Sequence, residues 1–193
     1  MIKYIEDSIN EAAKLFAEFA EDKSQLEFIK QISEVIVDVF KTGNKVLICG
    51  NGGSATDAMH FAEECTGRFR KDRKALPVIS LTDPSHITCV ANDFGFDEVF
   101  SRGVEAYGQA GDLLIAISTS GKSENVIRAC YKAKEQEMIT FALLGKTGGK
   151  INDFCDYQLI VPGNTTDRIQ EIHIAVLHII VETIERILFP ENY

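Results

Sequence analysis

Three short stretches of this chain concentrate the side chains that could do chemistry. The first is Gly50-Asn51-Gly52-Gly53-Ser54, which follows an apolar run, Val46 to Cys49, and leads into a helix-like segment carrying His60 and Glu64. Its glycines let the backbone turn tightly and approach a ligand without a Cβ in the way. A strand, a glycine turn and a helix start together gather free N–H groups at the positive end of a helix dipole, which suits an anion. Ser54 is the expected N-cap. His60 and Glu64 are four residues apart and so share one helix face. The second stretch, Ser118-Thr119-Ser120-Gly121-Lys122-Ser123, sets four hydroxyls around a glycine and forms a second anion nest, richer in donors than the first. The third is the apolar segment from Asp167 to Leu188. There Asp167, Gln170, Ile174 and His178 follow spacings of three, four and four and form one stripe. His173 lies roughly 140° around the helix from His178, so both cannot serve one site. Polar residues on so apolar a helix are costly unless partnered, and several on one stripe point to a site. The chemistry suggested is proton transfer on a small phosphorylated molecule.

The elements that must hold these residues alternate. Residues 1 to about 41 read as two amphipathic helices, the first with Ile5, Ile9, Ala13, Phe16 and Ala20 on one face. Their spare apolar face suggests packing against another subunit. Buried strands are expected at Val46–Cys49, Pro77–Leu81, Leu113–Ile117, Met138–Leu144 and Tyr157–Val161, with helices between them and a long helix at the end. This predicts an α/β chain: one domain over 1–193, with a helical pair at 1–42 and a doubly wound, five-stranded parallel sheet of flavodoxin-like type in 43–193. In the loop Gly67 to Lys74, most of Arg68, Arg70, Lys71, Arg73 and Lys74 read as a solvated charge run. His86 reads as structural or exposed, Asn92-Asp93-Phe94-Gly95-Phe96 as a site loop, and the tail from Phe189 as frayed.

Two decoys fall away. Gly50 to Ala55 fits a dinucleotide fingerprint, but the chain has little room for a separate substrate domain, and the second nest would go unexplained. Gly121-Lys122-Ser123 imitates the end of a Walker A loop, yet Ala116 stands where its first glycine is required. No nucleotide cofactor is expected. Twenty basic against twenty-nine acidic residues give a net charge of −9, which argues against nucleic acid as the main partner. Five scattered cysteines, none in a CxxC pair, suit buried thiols in a reducing compartment. With neither a signal-like N-terminus nor an apolar run of membrane-spanning length, a soluble cytoplasmic protein is expected.

Taken together, Cys-Gly-Asn-Gly-Gly-Ser54, Ala-Met-His-Phe-Ala-Glu-Glu64, Ala-Asn-Asp-Phe-Gly-Phe96, Ile-Ser-Thr-Ser-Gly-Lys-Ser123 and Asp-Arg-Ile-Gln-Glu-Ile-His173 with His178 resemble the sugar isomerase (SIS) domain family. More narrowly, they resemble its bacterial phosphoheptose isomerases, and the likeness covers almost the whole chain. The resemblance implies an enzyme that converts sedoheptulose 7-phosphate to D-glycero-D-manno-heptose 7-phosphate, feeding heptose into lipopolysaccharide or capsule. It implies a homotetramer with active sites between subunits. Substrate contacts carry over to Asn51, Gly52, Gly53, Ser54, Glu64, Asn92, Asp93, Ser118, Thr119, Ser120, Ser123 and Gln170. A zinc site carries over to His60, Glu64, Gln170 and His178. Enediol chemistry would use Glu64 as base and His178 as acid, with Asp167 polarising or orienting. Glu63 rivals Glu64 on chemistry alone; the resemblance selects Glu64. Two other readings stand beside this one: a non-catalytic SIS regulator that binds a protein partner of the replication-initiator type, and an isomerase of another sugar phosphate. Such regulators tend to lose the catalytic carboxylate and the final histidine, and this chain keeps Glu64 and His178.

Overall fold

The computed structural model describes residues 1–193. Helix α1 (Ile2–Glu21) is followed by α2 (Lys23–Lys41), which Asp22 caps by accepting from the Ser24 and Gln25 amides. Then come β1 (Val46–Gly50), α3 (Gly53–Thr66), β2 (Val78–Ser80), α4 (Pro84–Asp93), α5 (Val99–Tyr107), β3 (Leu113–Ser118), α6 (Glu124–Glu135), β4 (Ile139–Gly145), β5 (Tyr157–Val161) and α7 (Thr166–Leu188). The strands form one parallel sheet in the order β2-β1-β3-β4-β5. This is the expected doubly wound α/β architecture.

Successive side chains of a strand point to opposite faces, and the sheet separates two cores accordingly. Val46 and Ile48 of β1 join Leu113, Ile115 and Ile117 of β3 in a core closed by α2, α3 and α7. Leu47, Cys49, Leu114 and Ala116 face the other way, into a core closed by α4, α5 and α6. From β1 the chain runs outward to β2 through α3, and from β3 it runs the opposite way to β4 through α6. The crevice between the carboxyl ends of β1 and β3 is therefore the switch point at which such sheets bind ligands. Helix α7 buries Ile169, Ile172, Val176, Leu177, Ile180, Val181 and Ile184 on the first core. At roughly 1.5–3 kcal/mol for each large aliphatic side chain, its docking is a dominant contribution on that face.

Helix α2 is well covered, whereas α1 buries only Phe19 and leaves Ile2, Ile5, Ile9 and Phe16 exposed. Local details differ from the sequence expectation. Ser54 is not the cap of α3: Gly52 is, with φ +58°, and Ser54 lies buried inside the first turn. The tight exit from β1 takes up the residues on which a serine cap would have needed extended backbone. Asn92 and Asp93 end α4 instead of opening a loop. The tail is not frayed: Pro190–Asn192 forms a 3₁₀ turn, and the Tyr193 hydroxyl donates to Glu185 Oε2 at 2.7 Å.

His173 lies apart from His178, as the helix geometry requires. It is fully buried, its Nε2–H donating to the Leu144 carbonyl at 2.9 Å, and burial pushes its pKa down to about 4. A histidine with a folded pKa below its unfolded value of ~6.5 leaves stability intact above that value and removes it as the pH falls toward 4. The loss amounts to about 2 kcal/mol by pH 5. Urea denaturation at pH 7.5 and pH 5 should therefore show a smaller acid loss for His173→Gln, which keeps a donor for Leu144 but cannot titrate. Identical acid losses in the two proteins would exclude this role for His173.

Candidate active site

Helices α3 and α7 meet and bring His60 and Glu64 together with His178, which lies more than a hundred residues further along the chain. His60 Nε2 lies 2.9 Å from His178 Nε2, and Glu64 Oε1 lies 3.4 Å from His60 Nε2. Glu64 reaches inward with a side chain only 16% exposed, whereas Glu63 is 64% exposed and touches the far nitrogen of the same ring, Nδ1, at 3.3 Å. Glu63 thus orients His60, and Glu64 occupies the cluster. Burial and the neighbouring His60 hold the His178 pKa below its usual value.

Gln170 enters from the first turns of α7. Its Nε2 donates to Asp57 Oδ1 at 3.2 Å, and its amide lies directly over Gly53. A Cβ on Gly53 would stand 2.6 Å from Gln170 Cδ, so glycine is required there by close approach. Asp57 is buried and its Oδ2 has no partner, and burial raises its pKa. Asp57 was not singled out in the sequence, although the spacing 57, 60, 64 places it on the face of His60 and Glu64.

These residues fit a metal ion. The ligand atoms of His60, Glu64 and His178 all lie within 4.8 Å of one another. Ligands about 2.0–2.1 Å from a tetrahedral ion are separated by roughly 3.3 Å, the scale of the contacts seen here. The amide oxygen of Gln170 is left available because Asp57 takes the amide nitrogen, and Glu63 on Nδ1 leaves the His60 Nε2 for coordination.

The two nests lie at the carboxyl ends of β1 and β3, and the first of them leads into the helix that carries His60 and Glu64. Asn51 and Asn125 hydrogen-bond through both amides, at 2.8 and 2.9 Å, and join the glycine turn after β1 to the hydroxyl nest after β3. Asn125, buried at the start of α6, is a second residue that the sequence did not single out. Within the nest the Ser118 Oγ accepts from the Gly121 amide at 3.1 Å and lies 3.5 Å from the Ser123 Oγ, and the Ser120 Oγ accepts from the Lys122 amide at 3.2 Å. Thr119 and Ser120 are half-buried. Gly121, with φ +61°, packs so closely on Gly148 that a side chain would overlap its carbonyl.

Three expected site residues stand outside this assembly within the chain. Asn92 and Asp93 are exposed at the end of α4, bonded to each other at 2.8 Å. Asp167 is exposed in the first turn of α7, about 16 Å along the axis from His178. The loop Gly67 to Lys74 keeps most of its basic residues exposed, as expected, but not all of its side chains are solvated. The Phe69 ring lies 5.9 Å from that of His178, Arg70 pairs with Glu182 at 2.7 Å, and Arg73 is buried. Arg68, Lys71 and Lys74 keep the solvated character that the charge pattern suggested.

A doubly wound sheet with an anion nest on each side of its switch point and a His–Glu–His cluster defines an α/β protein of the kind that handles small phosphorylated molecules. The SIS domain family profile matches residues 7–145. A phosphoheptose isomerase of Fusobacterium nucleatum is 59% identical over 180 residues, covering 93% of each chain, and one of Escherichia coli is 51% identical over 183 residues, covering 94% of this chain and 95% of its own. The solved structure of phosphoheptose isomerase from Neisseria gonorrhoeae superposes with a TM-score of 0.89 at 41% identity, over 95% of this chain and 97% of that one. The chain belongs to the SIS domain family and, within it, to the phosphoheptose isomerases.

Gly53→Ala should displace the Gln170 amide while leaving the fold intact. We expect Zn²⁺ affinity, read by competition with a chromophoric chelator, to fall about tenfold or more, with the thermal midpoint moving by only a few degrees. Unchanged affinity would separate Gln170 from the cluster.

Proposed function

We propose that this chain isomerises sedoheptulose 7-phosphate to D-glycero-D-manno-heptose 7-phosphate through an enediol, as the cytoplasmic first step of heptose supply for lipopolysaccharide or capsule. The observation that carries this reading is the meeting of His60, Glu64 and His178 in a chain 51–59% identical to proteins named phosphoheptose isomerase.

The backbone N–H groups and hydroxyls of Ser118, Thr119, Ser120 and Ser123 hold the phosphate. Asn51, Gly52, Gly53 and Ser54 line the sugar, and Asn92 and Asp93 reach it from the end of α4. Moving a carbonyl from C2 to C1 requires a proton to leave C1 and a proton to arrive at C2, with oxygen protonated on one carbon and deprotonated on the other. Glu64 takes and returns the carbon proton. A carboxylate has two oxygens, so one can face His60 while the other handles the proton. His178 serves the oxygens, and its lowered pKa makes the neutral ring the ready form to accept a proton and pass it on. Asp167 orients this machinery, and its distance from His178 within one chain favours a site completed between copies. The exposed apolar face of α1 supports the same assembly, a homotetramer. The metal site fits zinc, held by His60, Glu64, Gln170 and His178; when bound, zinc polarises the substrate carbonyl and the adjacent hydroxyl.

Proton NMR of the protein with sedoheptulose 7-phosphate in deuterated buffer, with and without added zinc, tests the reading. An aldose anomeric signal should grow, with deuterium at C2. Glu64→Gln should reduce turnover by at least a thousandfold while phosphate binding and the melting curve stay as in the parent. A parent protein inactive on ketose phosphates, or an active Glu64→Gln variant, would refute the mechanism.

A further inference from the structure

The segment Gly67 to Lys74 runs along α7 as a clamp. Phe69 stacks near His178, Arg70 pairs with Glu182, and Arg73 pairs with Glu185. Positions 178, 182 and 185 are separated by four and three residues, so all three partners lie on one face of α7. Arg73 is the buried member. Its side chain and that of Glu185 are each 1% exposed, with Nε donating to Glu185 Oε1 at 2.8 Å. The remaining guanidinium donors go to the end of α3. Nη1 donates to the Cys65 carbonyl at 2.6 Å and to that of Gly67 at 3.1 Å, and Nη2 donates to the Glu64 carbonyl at 2.6 Å. The second Glu185 oxygen accepts from the Tyr193 hydroxyl at 2.7 Å.

A guanidinium placed there satisfies carbonyls at the end of α3 and sets a positive charge against the negative end of that helix. It also ties the backbone of Glu64 to a residue two turns beyond His178 on α7. Helices α3 and α7 are thus joined at three points, the Asp57–Gln170 hydrogen bond, the His–Glu–His cluster and the ion pair, and the ion pair is the one that fixes the register beyond Glu64, at the end of α3. Buried ion pairs are a poor means of stabilising a fold, since apolar replacements of similar volume are often neutral or better. A planar five-donor fork that reaches one carboxylate and four carbonyls, those of Glu64, Cys65, Gly67 and Lys74, is instead suited to alignment.

We propose that Arg73 is a positioning residue, acting through Glu185 and the terminal carbonyls of α3 to hold Glu64 and His60 in register with His178. The proposal rests on the isomerase reading for its kinetic consequence, and its metal-binding consequence stands independently of turnover.

The test replaces the pair as a unit, Arg73→Met with Glu185→Leu, so that no charge is left buried alone. The melting temperature should be unchanged or higher and KM should stay within about threefold, because the phosphate nest lies on other elements. Turnover should fall at least tenfold, and Zn²⁺ affinity of the metal-stripped protein, read by chelator competition, should weaken about 10- to 100-fold. A folded double variant with kcat and Zn²⁺ affinity within twofold of the parent would overturn the proposal. Arg73→Lys is the companion should the double variant not fold. It keeps a cation beside Glu185 but cannot span the carbonyls, so the same losses support the proposal and their absence overturns it. A parent that binds Zn²⁺ without isomerising ketose phosphates would refute the isomerase reading, and the Arg73 effect on Zn²⁺ affinity would still decide this one.

Discussion

His60 Nε2 and His178 Nε2 stand 2.9 Å apart on two different helices, and the rest of the site depends on keeping them so. Two imidazole nitrogens at that distance attract only if one carries a proton or a cation lies between them. The arrangement therefore needs a force from elsewhere to hold the helices together. Helix α7 supplies it through the seven aliphatic side chains that it buries on the sheet, and α3 through Ala58, Phe61, Ala62 and Cys65. Polar side chains on these helices are carried to one place by apolar packing that would be much the same without them. The division of labour explains why a helix as apolar as α7 can present Gln170 and His178 at all: the stripe that bears them is the edge of its buried face.

The sheet does a second piece of positioning. Both anion nests follow adjacent parallel strands, β1 and β3, which are in register from Val46↔Leu113 to Gly50↔Ile117. Their turns therefore end at the same height and open into the same crevice. The reciprocal Asn51–Asn125 amide pair then ties one turn to the other, so a ligand spanning both meets a surface already organised. Preorganised donors of this kind need not reorient as charge develops on a reacting molecule.

The order of elements, the two faces of each strand and the face shared by His60 and Glu64 were legible in the sequence because they follow from local periodicity. The same is true of the stripe on α7, since 170, 174 and 178 are one helical face wherever that helix lies. What local pattern could not show is which charges become buried. Arg73 sits in a run of five basic residues and by composition belongs in water with Arg68, Lys71 and Lys74. Only the docking of α7, with Glu185 pointing toward the end of α3, turns that one arginine inward. The tail is the same case. Phe189-Pro-Glu-Asn-Tyr193 lacks any periodic signal, yet Tyr193 finds Glu185 because the ion pair has already drawn that carboxylate into place. Ser54 failed as a cap for a reason also invisible locally: Gly52, with its positive φ, had to end the turn for the backbone to leave β1 so sharply.

On the proposed mechanism, the placement of Arg73 also bears on how a strongly acidic chain would handle a phosphate next to a carboxylate that moves a proton. At physiological salt, fields from distant charges fade over about 8 Å, so the net −9 matters less than the groups that line the crevice. In the nests the hydrogen-bonding groups are amides and hydroxyls, of a kind that can hold an anion without a full positive charge. Arg73 is closer, yet its guanidinium bonds the Glu64 carbonyl and spends its ionic contact on Glu185. The cation therefore anchors the residue without becoming the counter-ion of its carboxylate. A cation bonded directly to that carboxylate would favour the charged form and blunt a base that must take up a proton and give it back. On the proposed mechanism, binding the backbone and leaving the side chain beside His60 would secure the position of Glu64 and keep its carboxylate for chemistry.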